Sequence, residues 1–350
     1  MTSVLNGMTM TRRIASNFKK DTVDLLNGIR GQIIALEKTG YLNSPLHTRN
    51  MRIQYRSLNN DVMDIEVYRY LAIVNYRERE DGYFEDVLVR IYKEIGSLQT
   101  CPFVSTCSNS DTYYWAEIGS GMIALPYGEE RNILNLSDLY HEIGHFLYDQ
   151  HKDDFIGDLT DQIDTFYRQK QGTFNLAIEA LNRWEKSWLE EFACDLIATF
   201  LTGPAYAWTN LKFTTASSVL NVYGNPQLQS YHPANEARMR AIFAMLHLTG
   251  HDAELAEIQE SWDDFLNNIR ANPPADYQDL YPQEFIDRLA QTVLDGCRDI
   301  ALRPYSEQLV LTPAPVSLAI NEAWKIINTL PDDFKPWEEA KVAELGLTDN

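Results

Sequence analysis

The chain is predicted to be mainly α-helical, an α+β protein with a small β-sheet next to a helix that carries two histidines. Three observations predict this. Apolar residues recur at helical spacing over most of the 350 residues. One stretch near residues 101–126 departs from that period and is rich in aromatics, Ser, Thr and Gly. Beyond residue 250 the helical pattern is cut by "NPP", "TPAP" and "LPDD", the punctuation expected between packed helices.

From Ser16 to Gly40, Phe18, Val23, Leu26, Ile29, Ile33 and Leu36 mark one helical stripe. The segment "NMRIQYRSLNNDVMDIEVYRYLAIVNYRERE" mixes both periods and is read as mostly helical, and a further helix is expected from Phe84 to Ile95. Short strands and turns are expected in "CPFVSTCSNSDTYYWAEIGSGMIALPYGEE". From Leu136 to Leu248 the pattern is helical again, broken at "TGPAY", and three or four amphipathic helices follow His251. There is no internal repeat. This divides the chain into a helical N-terminal region (1–95), a central region (96–250) with a helical insertion at about 150–185, and an acidic helical C-terminal region (251–350).

An apolar fraction of 45% fits a folded chain rather than a disordered one. The net charge of −20 is uneven: residues 1–95 hold 14 basic and 12 acidic side chains, residues 251–350 hold 7 and 20. Nucleic acid is excluded as a partner, because neutralising phosphate takes clustered Lys and Arg. The acidic final third is read as a solubilising surface. The first twenty residues lack an apolar core of signal-peptide length. No run approaches the roughly 18 apolar residues that would span a bilayer. Cys101 and Cys107 in "CPFVSTC" match neither a redox pair nor a zinc site. The expectation is a cytoplasmic protein with reduced cysteines and no membrane insertion.

The stretch "SDLYHEIGHFLYDQ" places His141 and His145 four residues apart, with Glu142 between them. On a helix the two imidazoles point within about 40° of each other, one turn apart. Leu136, Leu139, Ile143, Phe146 and Leu147 fall on the opposite face. Such a helix buries its apolar side and offers two neutral nitrogen ligands to a divalent metal. Glu142, on the flank, is placed to take a proton from metal-bound water.

A catalytic zinc takes a third protein ligand and leaves a position open. "WEKSWLEEFACDLIATFLTGPAY" is apolar nearly all round yet carries Glu190, Glu191 and Asp195. Carboxylates in a buried helix are costly unless paired or coordinated. Glu191 and Asp195 share a face, so Glu191 is the expected third ligand. Asp195 then accepts the outer ring N–H of a ligating histidine. Gly203-Pro204 should end the helix, and Cys194 is expected to be a small buried hydrophobe.

"YHPANEARMRAIFAMLHL" starts a helix at His232-Pro233 and carries Arg238 six residues later. The order HEIGH, "EFACD", "HPANEAR" resembles the gluzincin zinc peptidases. It is most similar to the family of CAAX-prenyl endopeptidases and their bacterial heat-shock relatives. The resemblance covers about residues 121–240 and implies a zincin-type active-site helix beside the small sheet. It implies one Zn²⁺ per chain on His141, His145 and Glu191, with Glu142 the general base. Asp195 would orient a ligand histidine, His232 would stand by the substrate carbonyl, and Arg238 would brace the acidic groups. "GMIALPYG" at 121–128 is similar in placement to a strand that pairs with extended substrate in that family. The chain departs from it in lacking a membrane span, and in a 45-residue gap between His145 and Glu191. The "EEFACD" helix also resembles the soluble, repressor-cleaving ImmA/IrrE-type peptidases.

The expected activity is that of a soluble zinc endopeptidase acting on a protein or peptide substrate, with regulatory partners docking on the N- or C-terminal helices. Tyr206 and Tyr231 are further candidates for sharing the oxyanion role with His232. His47, His151, His247 and His251 have no comparable context. The alternatives are a non-catalytic partner-binding protein with a structural or regulatory zinc, and hydrolysis of a non-peptide amide.

Overall fold

A computed structural model of the chain describes residues 13–38, 48–65, 69, 80–108, 114–126, 128–129, 132–216, 222–224 and 232–345; His47 and Tyr231 lie outside them. The protein is mostly helical with one small sheet, as its periodicity predicts. It forms two compact units, Met1–Glu85 with Pro102–Tyr127, and Asp86–Cys101 with Gly128–Asn350. No helix among the described residues is long and apolar enough to cross a membrane.

The first unit holds helices α1 (Arg13–Lys38) and α2 (Thr48–Asp64) and the first residues of α3 (Glu80–Glu94). Ile29, Leu58 and Ile65 form a small core with Leu26, Leu36 and Val62 against it, whereas Ile33 of the same predicted stripe is exposed. The sheet consists of β1 (Phe103–Ser108), β2 (Trp115–Glu117) and β3 (Met122–Pro126), in the order β1-β3-β2. β1 runs parallel to β3 with Phe103 opposite Met122, and β2 runs antiparallel with Trp115 opposite Ala124. Gly121, at φ +68°, turns the chain from the 3₁₀ turn Ile118–Ser120 into β3. Residues 122–124 of β3 are therefore paired on both sides. The resemblance implied a substrate-pairing strand here, but a central strand has no free ladder of N–H and C=O groups to offer.

The second unit is built around α4 (Ser137–Ile156). After it come α5 (Leu159–Lys170), α6 (Ala177–Arg183), a π-helical turn (Trp184–Trp188), α7 (Leu189–Thr202) and α8 (Pro204–Ala216). Helices α9 (Asn235–Leu248), α10 (Asp252–Ile269), α11 (Gln283–Asp299), α12 (Val316–Thr329) and α13 (Pro331–Glu344) complete it, with single turns at Tyr277–Leu280 and Tyr305–Gln308. α4 and α7 cross closely at a glycine. A Cβ built on Gly144 would stand 3.0 Å from Cys194 Cα, so no other residue lets the two backbones meet there without a shift. The π turn, whose bonds span five residues rather than four, precedes α7 and buries Trp184 and Trp188. Trp184 stacks on Phe192 at 5.2 Å, and Trp188 packs on Tyr281 at 4.6 Å.

Every residue of α7 is buried except Glu190, which is what its near-continuous apolar character predicts. The helix stops at Gly203, φ +61°, where a Cβ would meet the Tyr305 ring at 2.6 Å. Its last carbonyls are capped from far along the chain: Gln308 Nε2 donates to Leu201 O at 2.9 Å and Asn321 Nδ2 to Thr202 O at 2.8 Å. Farther along the unit, Glu94 Oε2 accepts the Val316 N–H at the start of α12, and Arg303 Nη1 donates to the carbonyls of Lys93 and Glu94. The acidic last hundred residues thus supply caps and core to the unit that contains both helices named by the sequence motifs. Cys194 is buried, as expected of a small hydrophobe.

Candidate metal centre

Two helices bring the expected ligands together. α4 carries His141, Glu142 and His145, with Leu139, Ile143 and Leu147 fully buried on its other side. α7 carries Glu190, Glu191 and Asp195. His141 Nε2 lies 3.6 Å from Glu191 Oε2, and His145 Nε2 lies 4.0 Å from Glu191 Oε1. One ligand atom from each residue falls within 4.8 Å of the others. Tetrahedral zinc with bonds near 2 Å separates its ligand atoms by about 3.4 Å. The two His–Glu191 separations, 3.6 and 4.0 Å, exceed that spacing by well under an ångström.

The outer ring nitrogens decide whether those Nε2 atoms can ligate. His141 Nδ1 lies 3.0 Å from Asp195 Oδ1, and His145 Nδ1 lies 2.8 Å from Glu190 Oε1. A carboxylate can only accept, so both rings hold a proton on Nδ1 and direct Nε2 at Glu191. Asp195 is fully buried and accepts more: Arg238 Nε at 2.7 Å, Arg238 Nη2 at 2.6 Å and the Tyr206 hydroxyl at 2.5 Å. The Tyr206 oxygen also stands 3.0 Å from His141 Nδ1, where it accepts. Tyr206 is buried, with its hydroxyl proton committed to Asp195 on the outer-nitrogen side of the His141 ring. That geometry makes it a support for the histidine rather than a donor to a substrate oxygen. His232 Nδ1 lies 2.9 Å from Glu191 Oε2, and its side chain is 62% exposed. The backbone that carries it is held by Ala234 N–H donating to the buried Tyr281 hydroxyl.

The electrostatics are those of a cation cradle. Burial disfavours the His141 imidazolium, but hydrogen bonds to Asp195 and Glu191 outweigh it and raise its pKa to about 10. Burial is likewise overcome at His145 by the Glu190 bond and the Glu142 charge. Burial would lift Asp195 too, yet the charge and hydrogen bonds of Arg238 bring it down to about 2. At Glu191, hydrogen bonds from His141 and His232 overcome burial and hold the carboxyl well below its usual range. The field that keeps protons on both imidazoles is the field that attracts a dication, whose binding would displace them. Glu142 behaves differently: burial raises its pKa, opposed by the two histidines.

All seven residues marked by the sequence motifs, from His141 to Arg238, meet in this one place. Two more were not marked. Glu190 is named with Glu191 and Asp195 as a carboxylate of the buried helix but given no role, and its only hint is its place beside the expected ligand. Asp138, one turn before His141 and Glu142, is buried, with Oδ2 lacking a hydrogen-bond partner among the described residues; burial lifts its carboxyl to about 8. His151 sits at a kink in α4, against Asp154 at 3.4 Å, and does not join the cluster. No family model, curated protein or solved structure matches the chain, so the metal centre stands on its own geometry.

Proposed function

We propose that the chain is a zinc-dependent endopeptidase with a gluzincin-like centre, acting in the cytoplasm on a protein or peptide substrate. The observation that carries this reading is the convergence of His141 Nε2, His145 Nε2 and the Glu191 carboxylate with both outer imidazole nitrogens tied to carboxylates. His141, His145 and Glu191 would hold the metal, one per chain. Bound there, zinc would acidify a water toward neutral pKa and polarise the scissile carbonyl. Glu142, on the flank of the same helix, would accept a proton from the attacking water and return it to the leaving amine. His232, exposed beside Glu191, donates to the oxygen of the reacting carbonyl as charge builds on it. Asp195 and Arg238 keep His141 oriented throughout. A purely structural zinc has no use for Glu142, and a three-ligand set leaves room for water.

The test is a pair of measurements on wild type and Glu142→Gln. Both should retain about one zinc per chain. New peptide termini in a native-proteome digest should appear with wild type alone. Equal digestion by both proteins would remove Glu142 from the chemistry; zinc without any digestion by wild type would favour a non-catalytic centre.

A further inference from the structure

The two histidines of the centre are held by carboxylates of very different character. Asp195, behind His141, has 0% side-chain exposure and is forked by Arg238, so the pair is close to neutral as seen from the metal position. Glu190, behind His145, is 39% exposed, and His145 is its one ion-pair partner among the described residues. The consecutive residues Glu190 and Glu191 point about 100° apart on a helix. One carboxylate therefore meets the metal position while the other reaches around to the outer nitrogen of His145. A single helix, α7, thus contributes the third ligand and the anchors of both others.

We propose that Glu190 is a positioning residue of the metal centre, fixing His145 with Nε2 toward the metal and supplying the one uncompensated negative charge among its outer contacts. The inference rests on the metal-binding reading above and extends it to a residue outside the motif set. Two functions are combined in the side chain, and they separate by substitution. In Glu190→Gln the amide oxygen still accepts the Nδ1–H, so orientation survives and the charge is lost. In Glu190→Ala both are lost. Orienting partners of this kind change metal affinity by about 10- to 100-fold. A charge effect at a partly exposed site weakens as salt rises, whereas an orientation effect does not.

The experiment measures zinc affinity of the full chain by chelator competition at low and high ionic strength, with His145→Ala and Glu191→Ala as controls. Zinc affinity should fall about 10- to 100-fold in Glu190→Ala and by an intermediate factor in Glu190→Gln. The gap between wild type and Glu190→Gln should shrink at high salt, while that between Glu190→Gln and Glu190→Ala should persist. In metal-free protein, at a pH where the ring is neutral, ¹⁵N shifts should report an Nδ1–H tautomer for His145 in wild type and a mixture in Glu190→Ala. The urea midpoint of metal-free Glu190→Ala should fall, because the His145 Nδ1–H loses its acceptor. Metal-free Glu190→Gln, which keeps an acceptor, should unfold close to wild type at that pH and still bind zinc more weakly at low salt, which a merely structural role would not allow. Glu190→Ala binding zinc within threefold of wild type, while the controls lose it, would overturn this inference and leave the centre intact. Wild type that takes up no zinc, or controls that bind as it does, would overturn the metal reading itself, and this inference with it.

Discussion

Arg238 grips both oxygens of Asp195 from behind His141, Nε on Oδ2 at 2.7 Å and Nη2 on Oδ1 at 2.6 Å. Removing the guanidinium would strand a fully buried carboxylate, and breaking a buried pair costs about 3–5 kcal/mol. Arg238→Met should therefore lower the unfolding free energy of the metal-free protein by that order in urea titrations. Adding Asp195→Asn should recover part of the loss, because the stranded charge is gone. A loss in the double variant equal to the sum of the Arg238→Met and Asp195→Asn losses would show that the two side chains are not coupled.

The crossing of α4 and α7 makes a second prediction. On an exposed helix Gly→Ala stabilises by about 1 kcal/mol. At Gly144 the new methyl would stand 3.0 Å from Cys194 Cα and 3.1 Å from its Cβ, and overpacking costs about 1–3 kcal/mol. Gly144→Ala should be net destabilising and should weaken zinc binding at least tenfold, since α4 carries two ligands and α7 the third. Cys194→Ala should not rescue it, because the obstruction is backbone. Recovery in the double variant would relocate the constraint to the thiol.

These two contacts also show where sequence reading succeeds and stops. His141, Glu142 and His145 are legible because a four-residue step on a helix is a local rule, and the apolar face opposite them confirms the orientation. Glu191 and Asp195 are legible because carboxylates in an otherwise apolar helix demand a partner. Glu190 is not, since a glutamate at the edge of a buried helix looks solvated until His145, 45 residues earlier, is placed against it. The stop at Gly203 is local and visible; the capping of Leu201 and Thr202 by Gln308 and Asn321 leaves no spacing to read. The strand at 122–126 shows in its composition, but its central position depends on β1 and β2 both choosing it as a neighbour.

A pH dependence follows from His251, away from the metal centre. It stands at the N-cap position of α10, and its ring packs on the Tyr305 ring at 5.7 Å. Burial lowers its pKa below 6.5, against the raising influence of Glu254 and Asp252. A depressed folded pKa means that the unfolded chain binds the proton first as pH falls. The stability tied to the neutral ring is complete above about pH 6.5 and is lost as pH drops toward the folded value. Between pH 7.5 and 5.5, wild type should lose more stability than His251→Gln. The two histidines of the centre, whose pKa values are raised, contribute with opposite sign in both proteins and cancel in the comparison. Identical slopes would remove His251 as a source.

The start of α4 depends on a hydroxyl that belongs to α8. Thr209 Oγ1 accepts from Ser137 Oγ at 2.6 Å and from Trp324 Nε1 at 3.1 Å, and it lies 3.0 Å from both Leu134 O and Ala205 O. Four segments therefore meet at one buried atom, and one of its partners, Ser137, lies four residues before His141. Thr209→Val keeps the shape and removes the acceptor, leaving the buried Trp324 N–H without a partner. An orphaned buried donor costs about 1–3 kcal/mol, and urea unfolding of the variant should show a loss in that range. Thr209→Ser keeps the hydroxyl and deletes one methyl, worth about 0.8 kcal/mol, so it should be the milder change. If Val is tolerated better than Ser, packing of the methyl rather than the hydrogen-bond hub holds the head of the metal-binding helix in place.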